Sequence, residues 1–117
     1  GSQEVTHIVL LKVKEGTSAE DVRKVEDGIH SLASIPGMIS AKFGTHESMY
    51  EDCADRSQGF THALVTTCES KAALEHYAKC PEHIKVVEEL IKPILSAPPL
   101  ALDFIDPRPK ERVRAAI

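Results

Sequence analysis

Four side chains of this sequence have the types needed for proton transfer in an apolar setting: His7, His62, Tyr77 and His83. The last two flank Pro81 in the stretch HYAKCPEH, residues 76–83. Histidine titrates near neutral pH, so a neutral His83 can serve as a general base next to a carbonyl group. The Tyr77 hydroxyl can hydrogen-bond a developing enolate oxygen or orient that base. Acid–base help of this kind contributes about 10²–10⁴-fold to a rate. Holding a long flexible substrate in one reactive conformer adds a further proximity term. Such chemistry needs no cofactor, and none is expected. No metal is expected either, because no carboxylate or cysteine joins the imidazoles at ligand spacing.

The same residues admit a structural role. His83 stands at the third position behind the Pro81 break, where its ring can bond free backbone groups. Tyr77 can be a core aromatic whose hydroxyl satisfies a carbonyl there. His7 and His62 can be ordinary strand histidines with satisfied nitrogens. His76 points elsewhere on its helix and reads as surface. Cys80 precedes a helix start, where a thiolate can be stabilised, but no dedicated base accompanies it.

Positioning these groups falls to a short series of elements. THIVLLKV, residues 6–13, reads as a strand with His7, Val9, Leu11 and Val13 on one face and Ile8 and Leu10 on the other. Thr17 or Ser18 caps a helix with an apolar stripe of Val22, Val25, Ile29 and Leu32, ended by Pro36-Gly37. Residues 38–46 form a second strand, and residues 47–59 a long polar loop. FTHALVTTC, residues 60–68, is a third strand, with Phe60, His62, Leu64 and Thr66 on one face. The helix opened by Glu69-Ser70 stops near Cys80, because the residue before a proline avoids helical backbone. Pro81 suits the first turn of a new helix carrying Ile84, Val87, Leu90, Ile91 and Ile94, which Pro93 bends or ends. LALDFI, residues 100–105, is the last strand.

The order is βαββαβ, an α+β, ferredoxin-like pattern: a four-stranded antiparallel sheet with its helices on one face. The first and third strands are apolar on both faces, and no residues remain to cover the second face. The spacing therefore predicts a homodimer with sheet packed on sheet.

Composition narrows the partners. A chain of 117 residues with net charge −4 makes one domain and offers no basic face for nucleic acid. No apolar run approaches the roughly 18 residues of a membrane span. The N-terminus lacks the pattern of a signal peptide, and Gly1-Ser2 reads as a tag remnant. The three cysteines, Cys53, Cys68 and Cys80, form no CxxC pair and read as reduced thiols of a cytoplasmic protein. The expected layout is a tag or disordered start over residues 1–5, a domain over 6–106 and a tail over 107–117.

HIVLLK near the start, IPGMISAKFG, GFTH followed by CES, the Y-x-x-x-P-x-H run and LDFID near the end resemble, in that order, the stress-responsive dimeric α/β-barrel family. The resemblance covers residues 6–106. That family includes small plant stress proteins and a cofactor-free plant polyketide cyclase that closes a ring by intramolecular aldol condensation. The resemblance implies His83 as catalytic histidine and Tyr77 as its partner. It implies His7 and His62 as histidines lining the substrate pocket, and Val9, Leu11 and Leu64 as its apolar wall. The first helix here has no aromatic residue where the cyclase has a cluster, and Cys80 replaces the first histidine of a frequent H-P-x-H. A pocket of different shape follows. The first reading is thus a cofactor-independent polyketide cyclase-like enzyme, or a related lyase or isomerase. The alternative is a non-catalytic stress-responsive dimeric binding or structural protein, whose pocket holds a small apolar or polyketide-like ligand or is filled. A monooxygenase reading rests only on analogy of fold.

Overall fold

The computed structural model describes residues 3–108. Of the expected start and tail, positions 1–2 and 109–117 lie outside the described residues. Four strands, β1 (Val5–Leu11), β2 (Met38–Thr45), β3 (His62–Cys68) and β4 (Leu100–Phe104), form one antiparallel sheet in the order β2-β3-β1-β4. Helix α1 (Ala19–Ser31) joins β1 to β2, while α2 (Lys71–Lys79) and α3 (Pro81–Val86) lie between β3 and β4. This is the βαββαβ ferredoxin-like order, with its second helix split at Pro81.

Local chemistry explains the helix starts. The Ser18 hydroxyl accepts from the Asp21 N–H at 3.1 Å, and Glu20 and Asp21 face the positive end of α1. Ser70 caps α2 in the same way, accepting from the Ala73 N–H at 3.1 Å. Gly28 lets α1 lie close to the α3 side of the layer. A Cβ there would stand 3.1 Å from a Leu90 methyl and 3.3 Å from two methyls of Val86. Gly37 follows the first helix with φ +91°, and a Cβ there would fall 2.7 Å from that of Ala73.

Several boundaries differ from the sequence pattern, most of them by one residue. β1 ends at Leu11, after which Val13 makes only an isolated bridge to Leu95. β3 begins at His62, because Phe60 is tied into a turn by its N–H to the Ser57 carbonyl at 3.1 Å. The segment after α3 changes pitch ahead of Pro93: Val87–Ile91 form a π-helical turn and Lys92–Ile94 a 3₁₀ turn. Proline has no N–H for the carbonyl four residues back, so the regular ladder cannot continue.

The inner sheet face and the helices enclose the core. Leu11 and Leu64 from the sheet meet Val25, Ile29 and Leu32 from the first helical segment and Tyr77, Val86 and Ile91 from the second. The outer face carries Ile8 and Leu10 beside their β4 partners Leu102 and Leu100. Leu100, Leu102 and Phe104 stay 47%, 50% and 47% exposed, so one copy of the chain leaves this face uncovered. Among the described residues, no helix is long and apolar enough to cross a membrane.

Candidate active site

Tyr77 and His83 meet across the corner between α2 and α3. Cys80 takes extended backbone (φ −67°, ψ 131°), as a residue before proline prefers, and Pro81 opens α3. The turn folds the His83 ring back onto Tyr77, with ring centroids 4.3 Å apart and planes tilted by 44°. His7, from the middle of β1, lies edge-on to Tyr77 at 6.5 Å. Asp103 stands opposite His7 in the β1–β4 register, and its carboxylate pairs with His7 Nδ1. A hydrogen bond of that sense places the proton on Nδ1 and leaves His7 Nε2 unengaged by the carboxylate.

These four residues line an open cavity of about 570 Å³. Val5, Leu74, Ala78, Phe104 and Ile105 give it apolar walls, and α2 adds Lys71 and Glu75. A small organic ligand fits a volume of this order. Among the described residues, no three His, Cys, Asp or Glu side chains gather as a metal-binding group.

The local environment divides the proton-handling roles. Burial holds His83 below the ordinary histidine value; the Ala78 carbonyl opposes this, and nearby His7 adds to it. Its Nδ1 lies 3.4 Å from that carbonyl, a long contact that places the proton on Nδ1 and the lone pair on Nε2. His83 is therefore a neutral acceptor at neutral pH. Tyr77 is 1% exposed, and burial, with a smaller contribution from Cys68, pushes its phenol up to about 12. Tyr77 thus stays protonated, with a hydroxyl able to donate. Burial likewise raises the Cys68 thiol.

The structure brings together His7, Tyr77 and His83 but not His62. His62 lines a separate cavity of about 380 Å³ with Phe60, Thr45 and His46. Its ring stacks on Phe43 at 5.5 Å, and its Nδ1 lies 2.7 Å from the Thr61 hydroxyl. It pairs with Leu11, four residues along β1 from His7, a separation of about 13 Å. Leu11 and Leu64 belong to the core, Val9 packs against it, and none of the three is a wall of the larger cavity. The Cys80 thiol donates to Glu82 at 2.5 Å, and this bond, with burial, keeps it a thiol. Asp103 escaped the sequence reading. Its signal was the alternation of LALDFI, which sets Asp103 apart from Leu102 and Phe104, but the β1–β4 register was needed to place it beside His7.

Comparison with known proteins agrees with this architecture. The model of the stress responsive A/B barrel domain matches residues 5–106. A stress-response A/B barrel domain-containing protein of Arabidopsis thaliana is 30% identical over 107 residues, which are 92% of this chain and 38% of that protein. The chain therefore spans well under half the length of that relative. The hydroxynitrile lyase of Passiflora edulis superposes with a TM-score of 0.77 at 25% identity, over 95% of this chain and all of that one (100%). A dimeric ferredoxin-like protein of Thermobifida fusca gives 0.71 at 20% identity, over 89% of this chain and 92% of that one, a likeness of fold.

The His83 environment has a measurable consequence. An imidazole with a lower pKa in the folded state favours the native protein above its unfolded value near 6.5, and that contribution is lost as pH falls through the folded value. NMR titration should place the His83 midpoint below 6.5. Replacing His83 with Gln should flatten the loss of unfolding free energy on acidification below about pH 6.5. A midpoint at or above the ordinary value would contradict the assigned environment.

Proposed function

The chain belongs to the stress responsive A/B barrel domain family, and on that premise we propose that it is a cofactor-independent acid–base lyase working at a carbonyl carbon. The observation that carries the reading is the contact of the Tyr77 and His83 rings at 4.3 Å on the wall of an open cavity. In the cleavage direction, Nε2 of His83 takes the proton of a substrate hydroxyl while Tyr77 donates a hydrogen bond to that oxygen. The carbonyl forms as the adjacent carbon–carbon bond breaks. The leaving carbon departs with the bonding pair and takes the proton back from His83. His7, held by Asp103, orients the substrate from the β1 side. The reverse reaction is a condensation, and ring closure of a polyketide-like chain is its intramolecular form. The likeness to a hydroxynitrile lyase supports the lyase class. The three free thiols fit a reducing, cytoplasmic setting.

A second reading has an observation of its own. Tyr77 is a core residue, and His83 contacts the Ala78 carbonyl, so both serve the fold as well. In that reading the cavity holds a small apolar or polyketide-like ligand without turnover. Under either reading we propose a homodimer, because Leu100, Leu102 and Phe104 extend an outer sheet face that one copy leaves half exposed. The dimeric description of the Thermobifida fusca protein accords with this.

Turnover is expected on a panel of aromatic hydroxynitriles, β-hydroxy ketones and linear tetraketide thioesters. His83→Ala and Tyr77→Phe should each lower kcat about 10²–10³-fold with the fold retained by circular dichroism. Binding without turnover across the panel would hand the site to the second reading. Light scattering at micromolar concentration should give twice the monomer mass, and Leu102→Glu should lower it; a monomeric mass for the unaltered chain would refute the dimer.

A further inference from the structure

The cavity wall carries charge from β4 and from α2. On β4, Asp103 is paired with His7. On α2, Lys71, Leu74, Glu75 and Ala78 all line the cavity, at the three- and four-residue spacing that puts them on one helix stripe. Glu75 is engaged one turn further along: its carboxylate accepts from Lys79 at 2.8 Å, and this bond holds it below the usual carboxylate range. Lys71 is different. It lines the cavity and is exposed, yet it has no ion pair among the described residues. Both carboxylates of the wall thus have a hydrogen-bond partner, and among the described residues the Lys71 ammonium has no ion pair.

From this we propose that Lys71 selects substrates bearing an anionic group: a carboxylate, or a phosphate, set apart from the reacting carbonyl by an apolar spacer. The inference rests on the acid–base reading of the same cavity and adds its substrate class. The carbonyl lies against His83 and Tyr77, the spacer runs along Leu74 and Ala78, and the anion meets the Lys71 ammonium. An ammonium on a flexible stem acts as a point charge, so it tolerates either anion. Lys71 touches no reacting atom in this arrangement. It is a specificity residue, which governs KM and leaves kcat nearly constant.

The test uses a matched pair of probes, 5-oxo-5-phenylpentanoate and its primary amide, which have the same shape and differ in charge. Affinities are measured by calorimetry at low salt and about pH 8, above the ordinary histidine range. The carboxylate should bind roughly three- to fivefold tighter than the amide, the size of a partly exposed ion pair. Lys71→Met should abolish the difference, Lys71→Arg should keep it, and Lys24→Met, on α1 and outside the cavity lining, should leave it intact. Equal affinity of the two probes for the unaltered protein would overturn the inference while leaving the cavity reading in place. A preference that survives Lys71→Met would overturn it as well. Binding of neither probe would overturn the cavity reading and this inference together. Replacing the carboxylate with a phosphate monoester of equal length separates the two anions, and a preference for either supports the assignment.

Discussion

The ring of Pro81 shapes the corner on which the candidate site depends. Proline pushes the preceding Cys80 into extended backbone and then starts a helix of its own, so the chain turns a corner. An unbroken helix would carry Tyr77 and His83 around to different faces, well over a turn from each other. The corner instead stacks one ring near the other. Tyr77 then anchors the corner through its own burial, as a member of the core cluster that the sheet and helices share. Packing and chemistry share one residue here: the burial that stabilises the fold also keeps the phenol protonated.

The sheet supplies the other half of the site through its register. His7 projects from a central strand and Asp103 from the edge strand beside it, and only the observed pairing sets them side by side. A one-residue slip of β4 would turn Asp103 to the opposite face and bring Leu102 or Phe104 into its place. The apolar partners of β4 on the outer face, Leu100 and Leu102 beside Leu10 and Ile8, hold that register. The face proposed to join two copies is therefore also the one that aligns the His7 carboxylate partner.

Much of this was legible in the sequence, for reasons that can be named. Alternating apolar residues, serines ahead of helices and prolines at breaks gave the element order, because each reflects local backbone chemistry. HYAKCPEH gave the corner for the same reason. His62 shows the limit. Period two correctly set it on the inward face with Leu64, but alternation fixes a face and says nothing of distance along it. Its place opposite Leu11, at the far end of β1 from His7, follows from strand pairing that no local pattern records. Asp103 and Lys71 were illegible on the same ground: each gains meaning only from what lies across the cavity. The first helix carries no aromatic residue, and the close approach of Val86 and Leu90 gives its Gly28 a packing reason.

On the proposed reading, small carbonyl ligands enter the cavity between β1, β4 and the α2–α3 corner, where Tyr77, His7 and His83 converge. Selective ¹⁵N-histidine labelling followed by titration with acetophenone tests it directly, since each imidazole reports separately. The His7 and His83 resonances should shift together and saturably, while His62, in its separate cavity, stays in place. Shifts at His62 alone, or at none of the three, would contradict it.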